Sequence, residues 1–351
     1  MAFPDKLEKN HQQKSYFNSP TKYPQRDRGS YNSTVRSQEL ILFMKIVFMG
    51  TPYFAIPVLD AISADGHDIV AVYTQPDRTS GRGRKVTMSA VKEHAVSKNF
   101  QVLQPGNFQA DPSQIPILAD FKADIAVVAA YGTLLPSEIL DMFPYGCINL
   151  HPSLLPKYRG ASPVSTAILE AEKVTGITII QLDSGMDSGP ILAQKEAPIG
   201  EGTLCNELTE KLFYIGADLI VETISNLAKG VIKPRQQDNE NATYTKKLVR
   251  KDGLIDWKDR AGVIWRKIKA HHPWPGSYTH FNGKNLKIIE ARISENYKLG
   301  PGCVSIHDNA VYIGTSDDSL IVSQLQSEGS KITSATDFAR GHRDFENSIL
   351  S

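Results

Sequence analysis

Residues 45–74 read KIVFMGTPYFAIPVLDAISADGHDIVAVYT and decide the fold of the first half of the chain. A short apolar run at 45–49 is broken by Gly50-Thr51-Pro52, residues 54–62 have helical spacing, and a second apolar run follows at 68–74. A strand that is apolar along its whole length must be covered on both faces, as in a parallel sheet flanked by helices. The stretch therefore predicts the first β-α-β unit of a doubly wound sheet.

The same alternation continues further along the chain. Apolar runs lie at 124–129, 147–150, 178–182 and 191–197, and helix-like segments at 88–97, 112–121, 136–142 and 204–227. Beyond a polar stretch without periodicity, one helical segment and five short strand-like runs predict a small β-barrel. We therefore expect an α/β fold with three parts: a doubly wound, mostly parallel, Rossmann-like domain at 44–227, a linker at 228–243 and an OB-like β-barrel domain at 244–351.

Residues 1–43 differ from the rest of the chain. They are rich in Asn, Gln, Ser, Lys and Tyr and have no hydrophobic period, which predicts a disordered tail. They lack the apolar segment of a secretory signal and contain more acidic residues than a transit peptide. Met44 directly precedes the first strand and is an alternative start. We assign the tail no function.

The composition excludes several classes of protein. Lys and Arg number 39 against 38 Asp and Glu, so the net charge is +1, which argues against a histone-like or polyanionic protein. No uncharged apolar run approaches the roughly 20 residues of a membrane span. The three cysteines are far apart, which disfavours a disulfide scaffold or a cysteine-based zinc site and fits a reducing cytoplasm.

The first turn between strand and helix, Gly50-Thr51-Pro52, is not the G-x-G-x-x-G fingerprint of dinucleotide-binding proteins. The strongest local pattern lies instead at 147–160, CINLHPSLLPKYRG. Asn149 and His151 are two residues apart on a predicted strand, so their side chains project from one face. This places an amide beside an imidazole at the carboxyl end of the sheet, where ligands of such folds bind. A structural role for a strand-end His remains an equal alternative.

A second pattern lies at 175–192, TGITIIQLDSGMDSGPIL, where a strand runs into a loop with Asp183 and Asp187 between glycines. A carboxylate at such a turn can orient an imidazole and stabilise its charged form. Taken alone, an aspartate in this setting more often forms a turn.

These patterns together resemble a known family. The series Asn149-x-His151-x-Ser153-Leu154-Leu155-Pro156, then Gly160 and Asp187, is similar to that of the formyltransferases that use 10-formyltetrahydrofolate. The resemblance extends from residue 45 to about residue 340. It includes the loop at 74–92 and the segments DGLIDW (252–257) and PWP (273–275), which resemble the members that act on tRNA.

The resemblance implies an activity and a set of roles. We expect transfer of a formyl group from 10-formyltetrahydrofolate to the amino group of initiator methionyl-tRNA, in a cytoplasmic monomer without metal or membrane. The alternatives are formylation of an amino-sugar nucleotide and a non-catalytic RNA-binding protein on the same scaffold. The implied catalytic residues are Asn149, His151 and Asp187, and the implied folate contacts are Ser153, Leu154, Leu155 and Pro156.

Charge adds a prediction about the partner. Residues 244–269 contain nine basic side chains against three acidic ones, and a second basic loop lies at 78–85. Two basic elements beside one cleft suit an RNA backbone, although a basic run is more often only a solvated surface. The predicted tRNA contacts are Arg82, Arg84, Lys85, Lys246, Lys247, Arg250 and Lys251.

Overall fold

The computed structural model describes residues 43–80, 85–295 and 297–351. The first part of the chain contains β1 (Lys45–Gly50), α1 (Ile56–Ala64), β2 (Asp68–Tyr73), β3 (Arg78–Ser80), β4 (Lys85–Thr87), α2 (Ala90–Ser97), β5 (Val102–Leu103), α3 (Gln114–Asp120), β6 (Ile125–Ala129), α4 (Ser137–Leu140), β7 (Cys147–His151), β8 (Arg159–Gly160), α5 (Pro163–Leu169), β9 (Val174–Gln181), β10 (Ile191–Pro198) and α6 (Cys205–Ala228). The remainder contains β11 (Tyr244–Thr245), α7 (Ala261–Ala270), β12 (Ser277–Phe281), β13 (Lys284–Ser294), β14 (Val304–His307), β15 (Ala310–Gly314), β16 (Ser319–Ser327), β17 (Thr333–Ser334) and α8 (Ala335–Gly341).

A seven-stranded sheet with the order β10-β9-β7-β6-β1-β2-β5 forms the centre of the first part. The strands from β5 to β7 pair in parallel, and β9 is antiparallel to β7. All residues of β6 are buried, as are those of β1 after Lys45. These strands are covered on both faces, which is the burial that their continuous apolar runs predict. The expected mostly parallel sheet is confirmed.

Helix α6 packs closely on the strand that carries the predicted catalytic side chains. A Cβ atom at Gly216 of α6 would lie 2.4 Å from the side chain of Leu150 on β7. A glycine allows this approach, because a larger residue would overlap Leu150 unless that side chain moved. The contact places α6 against β7 one residue before the strand ends at His151.

The chain divides into two compact units. The first contains the described residues up to Gly160, with Thr175–Ala197 and Thr209–Tyr244. The second contains Ala161–Val174, Pro198–Leu208 and Thr245–Ser351. Residues 228–243, predicted as a linker, lie within the first unit.

The second unit contains an antiparallel sheet with the order β12-β13-β16-β15-β14 and with β17 beside β16. The C-terminal residues join its two edges: the backbones of Ser351 and His280 on β12 exchange hydrogen bonds, and Val304 N on β14 donates to Ser348 O. Closure of this kind gives the backbone N–H and C=O groups of the edge strands hydrogen-bond partners. It produces the small barrel that the short strands predict. Among the described residues, no helix has the length and apolar character needed to cross a membrane.

Candidate active site

His151 occupies the carboxyl end of β7 and is only 4% exposed. Its Nε2 lies 2.9 Å from the carbonyl oxygen of Tyr158, which can only accept a hydrogen bond. Nε2 therefore carries a hydrogen in both protonation states, and Nδ1 is the nitrogen that gains or loses a proton. The ring is thus fixed in orientation and in tautomer by the loop that follows β7.

Asp187 faces the other nitrogen of the same ring. Its Oδ2 lies 3.6 Å from Nδ1 of His151, which is an ion-pair distance rather than a hydrogen bond, and accepts a hydrogen bond of 2.8 Å from Gly160 N. The side chains of His151 and Asp187 are 5% and 17% exposed, so solvent screens the pair only weakly. The carboxylate stabilises the imidazolium and leaves Nδ1 able to exchange its proton.

The turn that carries Asp187 is tightly constrained. Asp187 has φ +50°, in the left-handed region that costs a non-glycine residue about 1–3 kcal/mol. Two residues later, a Cβ atom at Gly189 would lie 1.8 Å from the carbonyl oxygen of Gln181, so no other residue fits there. Tyr158, which holds Nε2 of His151, is also left-handed, with φ +63°. Both partners of the imidazole therefore lie on strained backbone, which is common at functional sites.

Asn149 lies two residues before His151 on β7, as the sequence predicts. Strand geometry directs both side chains to the same face. The residue is partly exposed, and within the described part of the chain its side-chain amide has no hydrogen-bond partner. The amide is thus able to donate to a ligand beside the imidazole.

The segment Ser153–Pro156, implied as the folate contact, follows directly. The Ser153 side chain is fully buried and its hydroxyl donates to Lys157 O over 2.7 Å, so it is already engaged. Thr178 on β9 holds the segment in place, because its Oγ1 donates to Ser153 O and accepts from Leu155 N. Leu154 and Pro156 are partly exposed, whereas Leu155 is buried. The apolar surface that this segment offers is therefore that of Leu154 and Pro156.

Comparison with known proteins gives the family of this chain. Residues 44–224 match the formyl transferase family, and residues 247–343 match its C-terminal domain. The chain belongs to the formyltransferase family. A protein of Caldanaerobacter subterraneus subsp. tengcongensis named methionyl-tRNA formyltransferase is 42% identical over 308 residues, which are 88% of this chain and 100% of the relative. A protein of the same name from Chloroflexus aurantiacus is 48% identical over 251 residues, or 72% of this chain and 81% of the relative.

Solved structures share the formyltransferase fold. HypX from Aquifex aeolicus, in complex with tetrahydrofolic acid, matches with a TM-score of 0.61 at 18% identity. The match covers 87% of this chain and 48% of HypX, so the chain spans about half of that protein. The sugar 3N-formyl transferase WlaRD, solved with dTDP and 5-N-formyl-THF, matches with a TM-score of 0.59 at 20% identity, over 82% of this chain and 99% of WlaRD. At these identities the likeness concerns the fold.

The first basic element of this formyltransferase is only partly described. Arg82 and Arg84 lie outside the described residues, and Lys85 begins β4, where only its backbone is described. At the base of the β3–β4 hairpin, Lys92 Nζ lies 2.6 Å from Asp77, and this hydrogen bond lowers the pKa of the Asp77 carboxyl. Gln104 donates to the other oxygen of the same carboxylate over 2.8 Å. These bonds fix where the hairpin leaves the sheet.

Seven of the nine basic side chains of the second basic element fall into two sets, and the remaining two, Lys258 and Arg260, are exposed. Four exposed side chains form a group that we call the basic cluster: Lys246, Lys247, Arg250 and Lys251. Lys246 also pairs with Asp252 over 3.0 Å, with its own side chain 78% exposed.

Three further bases of the run serve the second unit internally. Arg266 donates to Leu169 O over 3.0 Å, and Lys267 donates to Leu254 O. Lys269 is 8% exposed, lies 3.4 Å from the ring centroid of Trp265, and burial lowers its pKa to about 8. The positive charge available to a polyanion is therefore smaller than the sequence count indicates.

Sequence reasoning missed the residues that hold the loops of the site. Gln237 and Arg159 are buried and connect the turn of Asp187 to the loop after β7. No local pattern marks them, because their partners are 48 to 85 residues away along the chain. In the described ranges, no group of three or more His, Cys, Asp or Glu side chains is placed to hold a metal ion.

Proposed function

We propose that this formyltransferase transfers the formyl group of 10-formyltetrahydrofolate to the amino group of methionyl-tRNA. The observation that carries the proposal is the pairing of His151 with Asp187 beside the partly exposed amide of Asn149 at the carboxyl end of β7. The relatives named methionyl-tRNA formyltransferase, at 42% and 48% identity, support this acceptor. Likeness to sugar formyltransferases is confined to the fold, so the amino-sugar nucleotide is not favoured.

The catalytic roles follow from the chemistry of the transfer. As the amine attacks the formyl carbon, negative charge develops on the formyl oxygen, and a well-aimed donor there is worth about 2.7–4 kcal/mol. We assign Asn149 and the Nδ1–H of the imidazolium of His151 as these donors. The departing folate nitrogen gains a proton and the attacking amine loses one, so Nδ1 gives its proton to the first and is reprotonated from the second. Asp187 stabilises the imidazolium before the first transfer and after the second.

The substrates are assigned to different parts of the chain. Leu154 and Pro156 present apolar surface suited to the flat pteridine of the folate, with Ser153 and Leu155 supporting them from within. The β3–β4 hairpin, with Arg82, Arg84 and Lys85, is assigned to the acceptor end of initiator tRNA. The basic cluster is assigned to phosphates elsewhere on the same RNA, because counterion release from a polyanion favours such contacts.

We further propose a division into a tail at 1–43, a catalytic domain at 44–227, a connecting segment at 228–243 and a tRNA-binding domain at 244–351. Placement in the cytoplasm and a monomeric state belong to the same proposal. Residues 1–43 precede the family match, which begins at residue 44.

A formylation assay tests the proposal directly. Purified protein is given 10-formyltetrahydrofolate with charged initiator methionyl-tRNA, charged elongator methionyl-tRNA or an amino-sugar nucleotide. We expect turnover with initiator methionyl-tRNA and none with the sugar nucleotide. Turnover with the sugar nucleotide alone would overturn the assignment, and folate-independent RNA binding without turnover would support a non-catalytic protein.

A further inference from the structure

The segment predicted as a linker contacts both loops of the candidate site. Arg235 and Ile191 exchange backbone hydrogen bonds beside the turn of Asp187. Further along, Thr243 N donates to Pro156 O, and Thr243 O accepts from Arg159 N. We call residues 235–244 the return segment. It runs from the loop after β9 to the loop after β7, and both loops contain partners of His151.

Gln237 makes the central contact of the return segment. It is 8% exposed, and its Nε2 donates to Asp187 O over 2.8 Å and to Gly189 O over 2.7 Å. Both N–H groups of the Gln237 side chain therefore donate to backbone carbonyl oxygens of a single turn. That turn is the one in which Asp187 is left-handed. Two bonds from one side chain oppose its relaxation to a conformation that would carry the carboxylate away from the imidazole.

Arg159 fixes the orientation of this amide. Its Nε and NH2 donate to Oε1 of Gln237 over 3.0 and 2.8 Å, so Nε2 of the amide must point at the turn. Arg159 is 2% exposed and lies between Tyr158, whose carbonyl accepts from His151, and Gly160, whose N–H donates to Asp187. The guanidinium of Arg159 thus links two supports of His151. One is the loop whose Tyr158 carbonyl binds Nε2 of the imidazole, and the other is the Gln237 amide that holds the turn of Asp187 opposite Nδ1.

We propose that Gln237, oriented by Arg159, is a positioning residue that holds Asp187 at its distance from His151. It touches no reacting atom and acts through the carboxylate. The proposal rests on the catalytic roles assigned above, and it makes the return segment part of the catalytic apparatus. A displacement of about 1 Å in such a group reduces turnover by up to about 100-fold.

Two substitutions separate this role from a structural one. Gln237→Ala removes both bonds to the turn. Gln237→Glu keeps a carboxylate partner for Arg159 but cannot donate to the two carbonyl oxygens. We expect both variants to lose about 10- to 100-fold in kcat, with the KM values for folate and methionyl-tRNA within about twofold of wild type. Asn241→Ala is the matched control, because Asn241 is exposed on the same segment and, among the described residues, its side chain bonds only to Asp238. It should change neither kcat nor KM.

A double variant tests the route of the effect. If Gln237 acts through Asp187, Gln237→Ala should cost less than about threefold in kcat when introduced into Asp187→Asn. Losses that multiply in the double variant would overturn the proposal, as would wild-type kcat in Gln237→Ala or in Gln237→Glu.

A measurement without substrate keeps this result separate from the identity of the acceptor. In NMR spectra, the imidazole signals of His151 should move in Gln237→Ala, in the same direction as in Asp187→Asn. The signals are assigned by their loss in His151→Ala. Unmoved signals in Gln237→Ala would overturn the positioning role. If wild-type protein fails to formylate methionyl-tRNA, the proposed acceptor is wrong, and the NMR spectra still decide the role of Gln237.

Discussion

Replacing Asp187 by Asn removes one charge and leaves the shape of the site nearly unchanged. The Asn side-chain oxygen can still accept the hydrogen bond that Gly160 N donates to Asp187. The substitution abolishes the attraction across the 3.6 Å between Oδ2 and Nδ1 of His151. At an effective dielectric constant of 20, Coulomb's law gives about 4.6 kcal/mol as the upper value of this attraction. The amide dipole retains part of it, so we take about half, or roughly 2 kcal/mol, which corresponds to about a 30-fold loss of kcat.

The assay is steady-state formylation of methionyl-tRNA, with kcat and KM determined separately. KM for folate should stay near wild type, since Asp187 favours charge in the transition state. The control is Asp60→Asn, which breaks an Asp–His pair outside the candidate site, Asp60 with His94 at 2.7 Å. Wild-type kcat in Asp187→Asn, or an equal loss in the control, would refute the reasoning.

Four further outcomes are expected. Asn149→Ala should lower kcat by about 10²–10³ with little change in folate KM, because one oxyanion donor is removed; an unchanged kcat in the formylation assay would contradict this role. Neutralising the basic cluster should raise KM for tRNA. It should also reduce the slope of log affinity against log salt concentration by about 0.9 for each duplex phosphate that the protein no longer neutralises. If wild type and variant give parallel lines with equal affinity, the basic cluster is not an RNA surface. A chain that begins at Met44 should match the full chain in Tm and turnover, since the family match begins there; a large drop in either would give the tail a role. Burial lowers the pKa of His271 to about 4, below its ordinary value of 6.5. The free energy of unfolding therefore has its full value above pH 6.5 and decreases by up to about 3 kcal/mol as pH falls towards 4. Urea unfolding of His271→Gln should show a weaker pH dependence than wild type in this range.

Much of the fold follows from the sequence because buried parallel strands leave a continuous apolar signal. Residues 125–129 are such a run, and all five are buried. The apolar pattern predicts the start of β9 four residues late, at 178 instead of Val174. Gly176 weakens the strand pattern there, yet a Cβ atom at this position would lie 2.4 Å from Leu154 and from Lys195 O. A glycine inside a strand here marks a close approach rather than a break.

The candidate site is predictable in part for a similar reason. Asn149 and His151 share one strand, so their relation follows from the two-residue repeat of a strand. The role of Gln237 leaves no such signal, because a polar segment held by hydrogen bonds has no hydrophobic period. It therefore has the composition of a solvated linker. The sequence also does not show which bases of the run are exposed and which are buried. Lys269, for example, is buried through its contacts with Trp265 and with Glu201, which is far away along the chain.

The interleaving of the two units limits how this chain can be recombined with its relatives. A chimera with a crossover at residue 245 would replace most of the second unit but keep 161–174 and 198–208 from the other parent. Helix α7 depends on both retained segments, through Arg266 with Leu169 O and Lys269 with Glu201 O. Successful exchange of the barrel therefore requires three pieces of sequence to move together. The two short internal segments therefore belong, for the purpose of such an exchange, with residues 68 to 97 positions further along the chain.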